Sequence, residues 1–512
     1  MNAHNGLVDI RTADWMVVLA YFGMMWCIAF YFARRNTSTE EYFVGGRAFP
    51  GWVVGMSMLA TSVSSVTFLA FPAAAYAGDF RDLVINLMFP VGILIAVLVY
   101  VPMFRQWKLT SAYEYLGARF SPIIRLYGML SFTIARLCWL GIILCLVSDV
   151  IIVFTGWPVV PVIIFTGVFI AVYTIVGGIG AVIWTDVVQS FVLLFGGLLS
   201  VLYLAWQFPG GLGEIIEIGQ AHGKFNLGPT AFQLSERTVW IAILLGCFSA
   251  VAYQTEQNIV QRYVAAKSMR EARKATILYG SIVVPTWAFF FFLGSCLFAY
   301  FQVHDDPQVA QLSHEQVFPY FILTRLPPGV AGVVVAGVLS AAMSSVDSTL
   351  NSIAAVTVVD IVKPYLAKDK SDRFYLKVAR AIVTAASVVM VVVAVILSGI
   401  PTDTINELDW AIGSLFAGCV MSIFLLGFLT TRVDHVAALV GLVVAVTVNI
   451  YLVLSAIGWL PQRITCPVHE YWTSPLVNVT FMVVAYGTSW FRTHDPAKLA
   501  GLTVWTMMRQ KE

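Results

Sequence analysis

Residues 341–352 read AAMSSVDSTLNS, a run of hydroxyls and one carboxylate inside a long apolar segment. Ala341, Ser344, Ser345 and Ser348 recur at i, i+3, i+4 and i+7, the spacing that lines one face of a helix. Asp347 stands beside them. Hydroxyls and acids are costly in hydrocarbon and turn inward when a membrane helix carries them. Hard cations take oxygen ligands, which Ser, Asp and unpaired backbone carbonyls supply. The chemistry expected here is a sodium-sized cation site at membrane depth. A purely structural alternative is small-residue helix packing, with each hydroxyl bonded back to the preceding turn. The acid within the cluster argues against it.

Elements able to hold such a site follow from composition. The 512 residues are 59% hydrophobic and 11% charged, with a mean hydropathy of +0.84. Soluble domains carry roughly 25% charged residues, so the chain reads as an all-α polytopic membrane protein in a lipid bilayer. A net charge of +2 without a basic tail points to no nucleic-acid partner, and no obligate protein partner is evident. Seven cysteines show no metal or CxxC spacing.

Segments of about 20 apolar residues span a bilayer. The sequence predicts thirteen, at about 13–33, 52–77, 82–103, 124–153, 157–177, 183–207, 238–260, 275–301, 328–362, 376–399, 405–429, 434–457 and 472–491. The first is read as a retained helix, since no cleavage site follows it. Basic residues gather after odd-numbered spans: Arg34, Arg35 and Arg47; Arg105, Lys108, Arg119 and Arg125; the Arg262–Lys274 group; the Lys363–Arg380 group; Arg432; and Arg492, Lys498, Arg509 and Lys511. These take up most of the 30 basic residues, which predicts cytoplasmic loops there and an outside N-terminus. The opposite connections, 208–237 and 302–327, are long enough for a short outer helix each.

Two spans look interrupted. Span 52–77 carries Ser57, Thr61, Ser62, Ser64, Ser65 and Thr67 before Pro72. Span 238–260 carries Tyr253, Gln254, Glu256, Gln257 and Asn258. Unwound backbone in a bilayer needs a lined cavity or bound ions. Five spans run from each interrupted helix, which suggests a 5+5 inverted repeat. The predicted organisation is an extra helix in 1–35, repeats in 48–207 and 238–429, C-terminal helices in 430–491, and a cytoplasmic tail in 492–512.

Four motifs carry a resemblance: TSTEEYFVGGR at 37–47, GGIGAVIWTDVVQ at 177–189, IVQRYVAAKS at 259–268 and SSVDSTLNSIAAVTVVDIVKPY at 344–365. On these the chain resembles the sodium/solute symporters, the family of sodium–glucose, proline, iodide and sialic acid carriers. The resemblance implies a LeuT-like core in a cell (inner) membrane, and a primary sodium site. That site would use carbonyls of Ala60, Val63 and Ala341 with the hydroxyls of Ser344 and Ser345. Some members hold a second sodium, and the matching groups are Asp186, Ser344, Ser345 and Ser348. Asp347 departs from them, standing where those members have a serine or another small residue. It would either strengthen a second sodium site or bind a proton, so one or two sodium ions are expected.

Arg136 bears on the substrate. It falls near mid-membrane, where a guanidinium needs an anionic partner, from substrate or from a protein acid. The sialic acid carriers resemble the chain here, pairing this arginine with hydroxyls matched by Ser62, Ser64 and Thr67. Asn86, Tyr253 and Gln257 complete the expected substrate set, with helix-to-helix bonding the alternative for Gln257. The resemblance implies sodium-coupled import of a small organic anion, sialic acid first. A monocarboxylate is the leading alternative, and a neutral sugar or amino acid follows.

Other classes fit less well. A channel needs a continuous polar pore, and the polar clusters here are isolated. The scattered histidines form no catalytic set, so an enzyme is not expected. From the short C-terminal tail, no attached kinase is expected.

Overall fold

The computed structural model describes residues 11–34, 38–107, 109–400, 402–492 and 499–508, with backbone alone at 33, 149, 153–155, 176 and 402–409. Arg35, Lys108, Lys498, Arg509 and Lys511, with 493–498 and 509–512 of the predicted tail, lie outside the described residues. The fold is helical throughout; among the described residues the only strand-like pairing is an isolated bridge between Phe49 and Ala266. Among the described residues, nine helices are long and apolar enough to cross a membrane, or eleven when each of two bent pairs counts as one span. Two shorter helices, Val159–Ile175 and Thr473–Ser489, fall on two further predicted spans.

The first bent pair is Gly51–Ser62 with Val66–Ala77, turned by 62°. Its break has a local cause. Val63 leaves the helix in an extended conformation (φ −103°, ψ 93°), and Ser64 Oγ accepts the Val66 N–H at 3.2 Å. A serine that binds its own backbone competes with helix continuation. We call this the first broken helix. The second, Val239–Tyr253 with Gln257–Ala265, bends by 50° around Gln254–Glu256. Helix Pro122–Thr155 carries Arg136. Val159–Trp206 contains two apolar segments that change direction at Gly178, whose φ of 60° suits glycine.

The serine run lies in Val330–Leu366, here the serine helix, and every residue from Ala336 to Val356 is buried. Such burial on all sides explains a helix with no single apolar stripe. Glycines let neighbours close in on the broken helices. A methyl group at Gly294 would run into the Pro72 carbonyl, and one at Gly92 into the Ala250 carbonyl.

Both long connections, 208–237 and 302–327, contain the expected short helix, Gly211–Ala221 and His314–Arg325. Beside the second, Asp306 takes Arg325 at 2.7 Å and the Tyr320 hydroxyl at 2.8 Å. Partial burial opposes the charge on Asp306, but Tyr320, the Gln308 N–H and Arg325 outweigh it and hold its carboxyl below the usual range.

Candidate functional site

The break in the first broken helix faces the middle of the serine helix. Ser344 Oγ donates to Ala60 O at 2.9 Å and to Ala341 O at 3.2 Å. Ser345 Oγ donates to Ala341 O at 3.3 Å and to Thr61 O at 3.5 Å. Each hydroxyl has one proton to share between two carbonyls and keeps lone pairs for a further partner. Val63 is the residue at which the helix stops, and it is fully buried, as are Ala60 and Ala341. Two carbonyls and two hydroxyls of the predicted primary set thus meet across two helices, with Val63 at the break beside Ala60. Neutral oxygens around a monovalent cation place no lone charge in the apolar interior.

One turn further along, Asp186, Asp347 and Ser348 are all fully buried. Asp186 Oδ2 accepts Ser57 Oγ at 2.5 Å and Arg262 NH2 at 2.8 Å. The same guanidinium donates to Ser348 Oγ at 2.6 Å, Ser57 Oγ at 2.8 Å and the Asn258 carbonyl at 2.7 Å. Arg262 therefore corrects the loop assignment made from charge distribution. It belongs to the second broken helix and is completely buried. Its positive charge sits among the groups matched to a second cation site. Asp347 takes the Tyr173 hydroxyl at 3.0 Å and lies 3.5 Å from Ser348 Oγ. Asp186 Oδ1 is buried without a hydrogen-bond partner.

Removing one partner of a buried pair strands the other charge and costs about 3–5 kcal/mol. Arg262→Ala is expected to lower the unfolding midpoint of the detergent-purified protein sharply. The Asp186→Ala, Arg262→Ala double variant should regain much of the loss, because no lone charge then remains at Asp186. Additive losses in thermal unfolding would exclude that coupling.

The expected substrate groups divide between two adjoining cavities. Ser62, Ser64, Thr67 and Asn86 line one of about 240 Å³, closed by Phe89, Trp139, Tyr253 and Trp287. Ser62 Oγ meets the hydroxyls of Tyr253 at 3.0 Å and Tyr279 at 2.5 Å. Arg136 lines the other, of about 450 Å³, with Tyr113, Glu256, Trp410 and Ser414. Trp139, Ser249 and Tyr253 belong to both walls. Arg136 is ion-paired with Glu256. Gln257 lines neither cavity: its amide accepts the Ala112 N–H at 2.8 Å and donates to the Thr110 carbonyl at 2.8 Å. The alternative expected for Gln257 is helix-to-helix bonding; its partners here are the loop residue Thr110 and Ala112, the first residue of helix Ala112–Arg119.

Sequence reasoning missed Arg262, Ser57, Tyr173 and Glu256 as members of these clusters. Glu256 carried a signal as a member of the interrupted polar run of span 238–260, and Arg262 as a charge just after that run. Ser57 opens the polar run of span 52–77, and Tyr173 carried no signal.

Two broken helices, a buried oxygen cluster between the first of them and the serine helix, and a charged cavity define a class: a multi-pass, ion-coupled membrane transporter. The sodium:solute symporter family profile matches residues 42–445. The sodium/sialic acid symporter SiaT of Proteus mirabilis is 32% identical over 86% of this chain and 89% of its own. NanT of Aliivibrio fischeri, also a sodium/sialic acid symporter, is 30% identical over 86% and 88%. Human sodium-coupled monocarboxylate transporter 1 is 29% identical over 92% and 78%. The solved substrate-bound, outward-open structure of a Na+-coupled sialic acid symporter superposes with a TM-score of 0.84 at 28% identity, covering 95% of this chain and 99% of that one. Mhp1, a nucleobase-cation-symport-1 family transporter, shares the fold at a TM-score of 0.55 and 16% identity, over 91% and 98%. The chain belongs to the sodium:solute symporter family. It is a sodium-coupled transporter and not an enzyme.

Proposed function

We propose that this protein imports a small organic anion with sodium, and that sialic acid (N-acetylneuraminate) is that anion. The observation that carries the reading is Arg136, a guanidinium in a cavity that shares walls with a second cavity lined by Ser62, Ser64, Thr67 and Asn86. A carboxylate and several hydroxyls on one substrate match those two sets of groups. The names of the bacterial relatives support the same choice. The proposed substrate set is Ser62, Ser64, Thr67, Asn86, Arg136 and Tyr253, with Gln257 a latch to Thr110 and Ala112.

The proposed sodium ligands are Ala60, Val63, Ala341, Ser344 and Ser345. A second cation at Asp186, Ser344, Ser345, Asp347 and Ser348 would have to share its place with Arg262. Asp347 and the unpaired Asp186 Oδ1 are the oxygens left for it. We take the chain to have thirteen spans in a cell inner membrane, an outside N-terminus and a 5+5 inverted-repeat core in 48–207 and 238–429. Helix lengths and the two bent pairs support that organisation.

In this mechanism sodium joins the first broken helix to the serine helix and favours the outward-open form. It does so only through its higher affinity for that form. Substrate then completes the site, and one helix bundle rocks against the other. The membrane potential adds about 2.3 kcal/mol per charge per 100 mV. One sodium with one anion is electroneutral, and two make the cycle electrogenic.

A monocarboxylate is the second reading. The hydroxyl-lined cavity is small, about 240 Å³, and Trp139 and Tyr253 stand between it and Arg136. Proteoliposome uptake of labelled sialic acid, pyruvate and galactose, with and without an inward sodium gradient, tests both. Sodium-driven sialic acid uptake is expected. Sodium-driven pyruvate uptake alone would select the second reading, and galactose alone would reject an anionic substrate.

A further inference from the structure

Most buried or half-buried arginines in the inner part of the fold are committed to structural partners. Arg105 donates to the carbonyls of Tyr263 and Ala266, and Arg119 to those of Gly427 and Thr430. Arg125 pairs with Asp360, and Arg262 with Asp186. Arg136 differs. Its partner is Glu256, and the pair borders the larger cavity with side chains 18% and 28% exposed. A pair open to water exchanges partners at far lower cost than a dry one.

Glu256 also sits at the break itself. It is the last residue of the break in the second broken helix and immediately precedes its inner half, with extended backbone (φ −66°, ψ 143°). Arg136 comes from a different helix, Pro122–Thr155. The ion pair therefore ties the break of the second broken helix to a neighbouring helix. Trp139, three residues from Arg136 on the same helix, forms the wall between the two cavities with Tyr253. Tyr253 lies three residues before Glu256, on the other side of that break.

We propose that Glu256 is an internal competitor for the substrate's carboxylate. It holds the Arg136 guanidinium on the larger-cavity side until an anionic substrate displaces it. The guanidinium then turns to the substrate, and the freed break lets Tyr253 and Trp139 open one cavity to the other. This rests on the anionic-substrate reading above. It adds a specificity device: a neutral solute offers nothing in exchange for Glu256 and leaves the pair closed. Glu256 is a positioning residue, acting through Arg136.

Equilibrium binding of labelled sialic acid and of pyruvate to the full-length protein in nanodiscs, at fixed sodium, tests the proposal. Glu256→Gln is expected to tighten binding of the transported anion on the order of tenfold. Binding of galactose should stay unchanged. Glu256→Asp, one methylene shorter and holding Arg136 less well, should give an intermediate gain, and it serves if Glu256→Gln folds poorly. Unchanged or weaker anion binding in both variants would overturn the proposal and leave Glu256 as a support that merely orients Arg136. If the unmodified protein binds no anion, or binds one equally well after Arg136→Ala, the underlying substrate reading fails instead.

Discussion

Arg136→Ala is expected to abolish uptake of the anionic substrate. The loss should be on the order of hundredfold or more, since truncating one partner of a desolvated charge pair costs about 2–5 kcal/mol. The argument rests on place as much as on charge. Arg136 borders a cavity of about 450 Å³ and adjoins one lined by Ser62, Ser64 and Thr67. A guanidinium grips a carboxylate through two parallel N–H bonds, a geometry an ammonium cannot copy. Arg136→Lys should therefore recover only a small part of the uptake. The substitution also strands Glu256, so the Arg136→Ala, Glu256→Gln double variant separates lost recognition from a stranded acid. Both should fail to transport, while the double variant should unfold at a higher temperature than the single one. Normal sialic acid uptake by Arg136→Ala would remove the carboxylate assignment.

The helices were largely legible because a bilayer demands long apolar runs, and those runs can be read directly. Even the breaks were visible, since serines and threonines before Pro72 announce a helix with competing hydrogen bonds. The serine face was legible for the same reason: Ala341, Ser344 and Ser345 are placed by helical period alone. What periodicity cannot give is the partner from elsewhere in the chain. Ser344 meets Ala60, and Asp347 meets Tyr173, over separations that no local pattern encodes.

Arg262 shows the opposite failure. An arginine just after an apolar segment reads as a cytoplasmic anchor by position. The second broken helix continues to Ala265, however, which carries Arg262 inward onto Asp186. A charge count registers residues near a span end and is blind to whether they face water. The same blindness hid Glu256, whose role becomes visible only once Arg136 is seen opposite it.

Ser344→Ala and Ser345→Ala are expected to raise the sodium concentration needed for half-maximal uptake, each on the order of tenfold, with a larger shift in the double variant. Each removes one of five proposed oxygen ligands, and a neutral ligand set has no carboxylate to compensate for it. Substitution also has a structural cost, because Ser344 Oγ now satisfies the Ala60 and Ala341 carbonyls. Leaving a buried acceptor unpaired costs about 1–3 kcal/mol. Salt choice separates the two effects. The structural loss lowers the unfolding temperature equally in sodium, potassium and choline. Loss of a ligand abolishes the extra stabilisation that sodium alone confers, which for a bound ion grows as RT ln(1 + [Na+]/Kd). Ser345 sharpens the test, since its longer bonds of 3.3 and 3.5 Å make its structural share smaller. Ser345→Ala should thus give the cleaner sodium shift for the lesser destabilisation. Unchanged sodium dependence in both variants would exclude this cluster as the coupling site, because no arrangement of the remaining carbonyls replaces two hydroxyl ligands without a change in affinity.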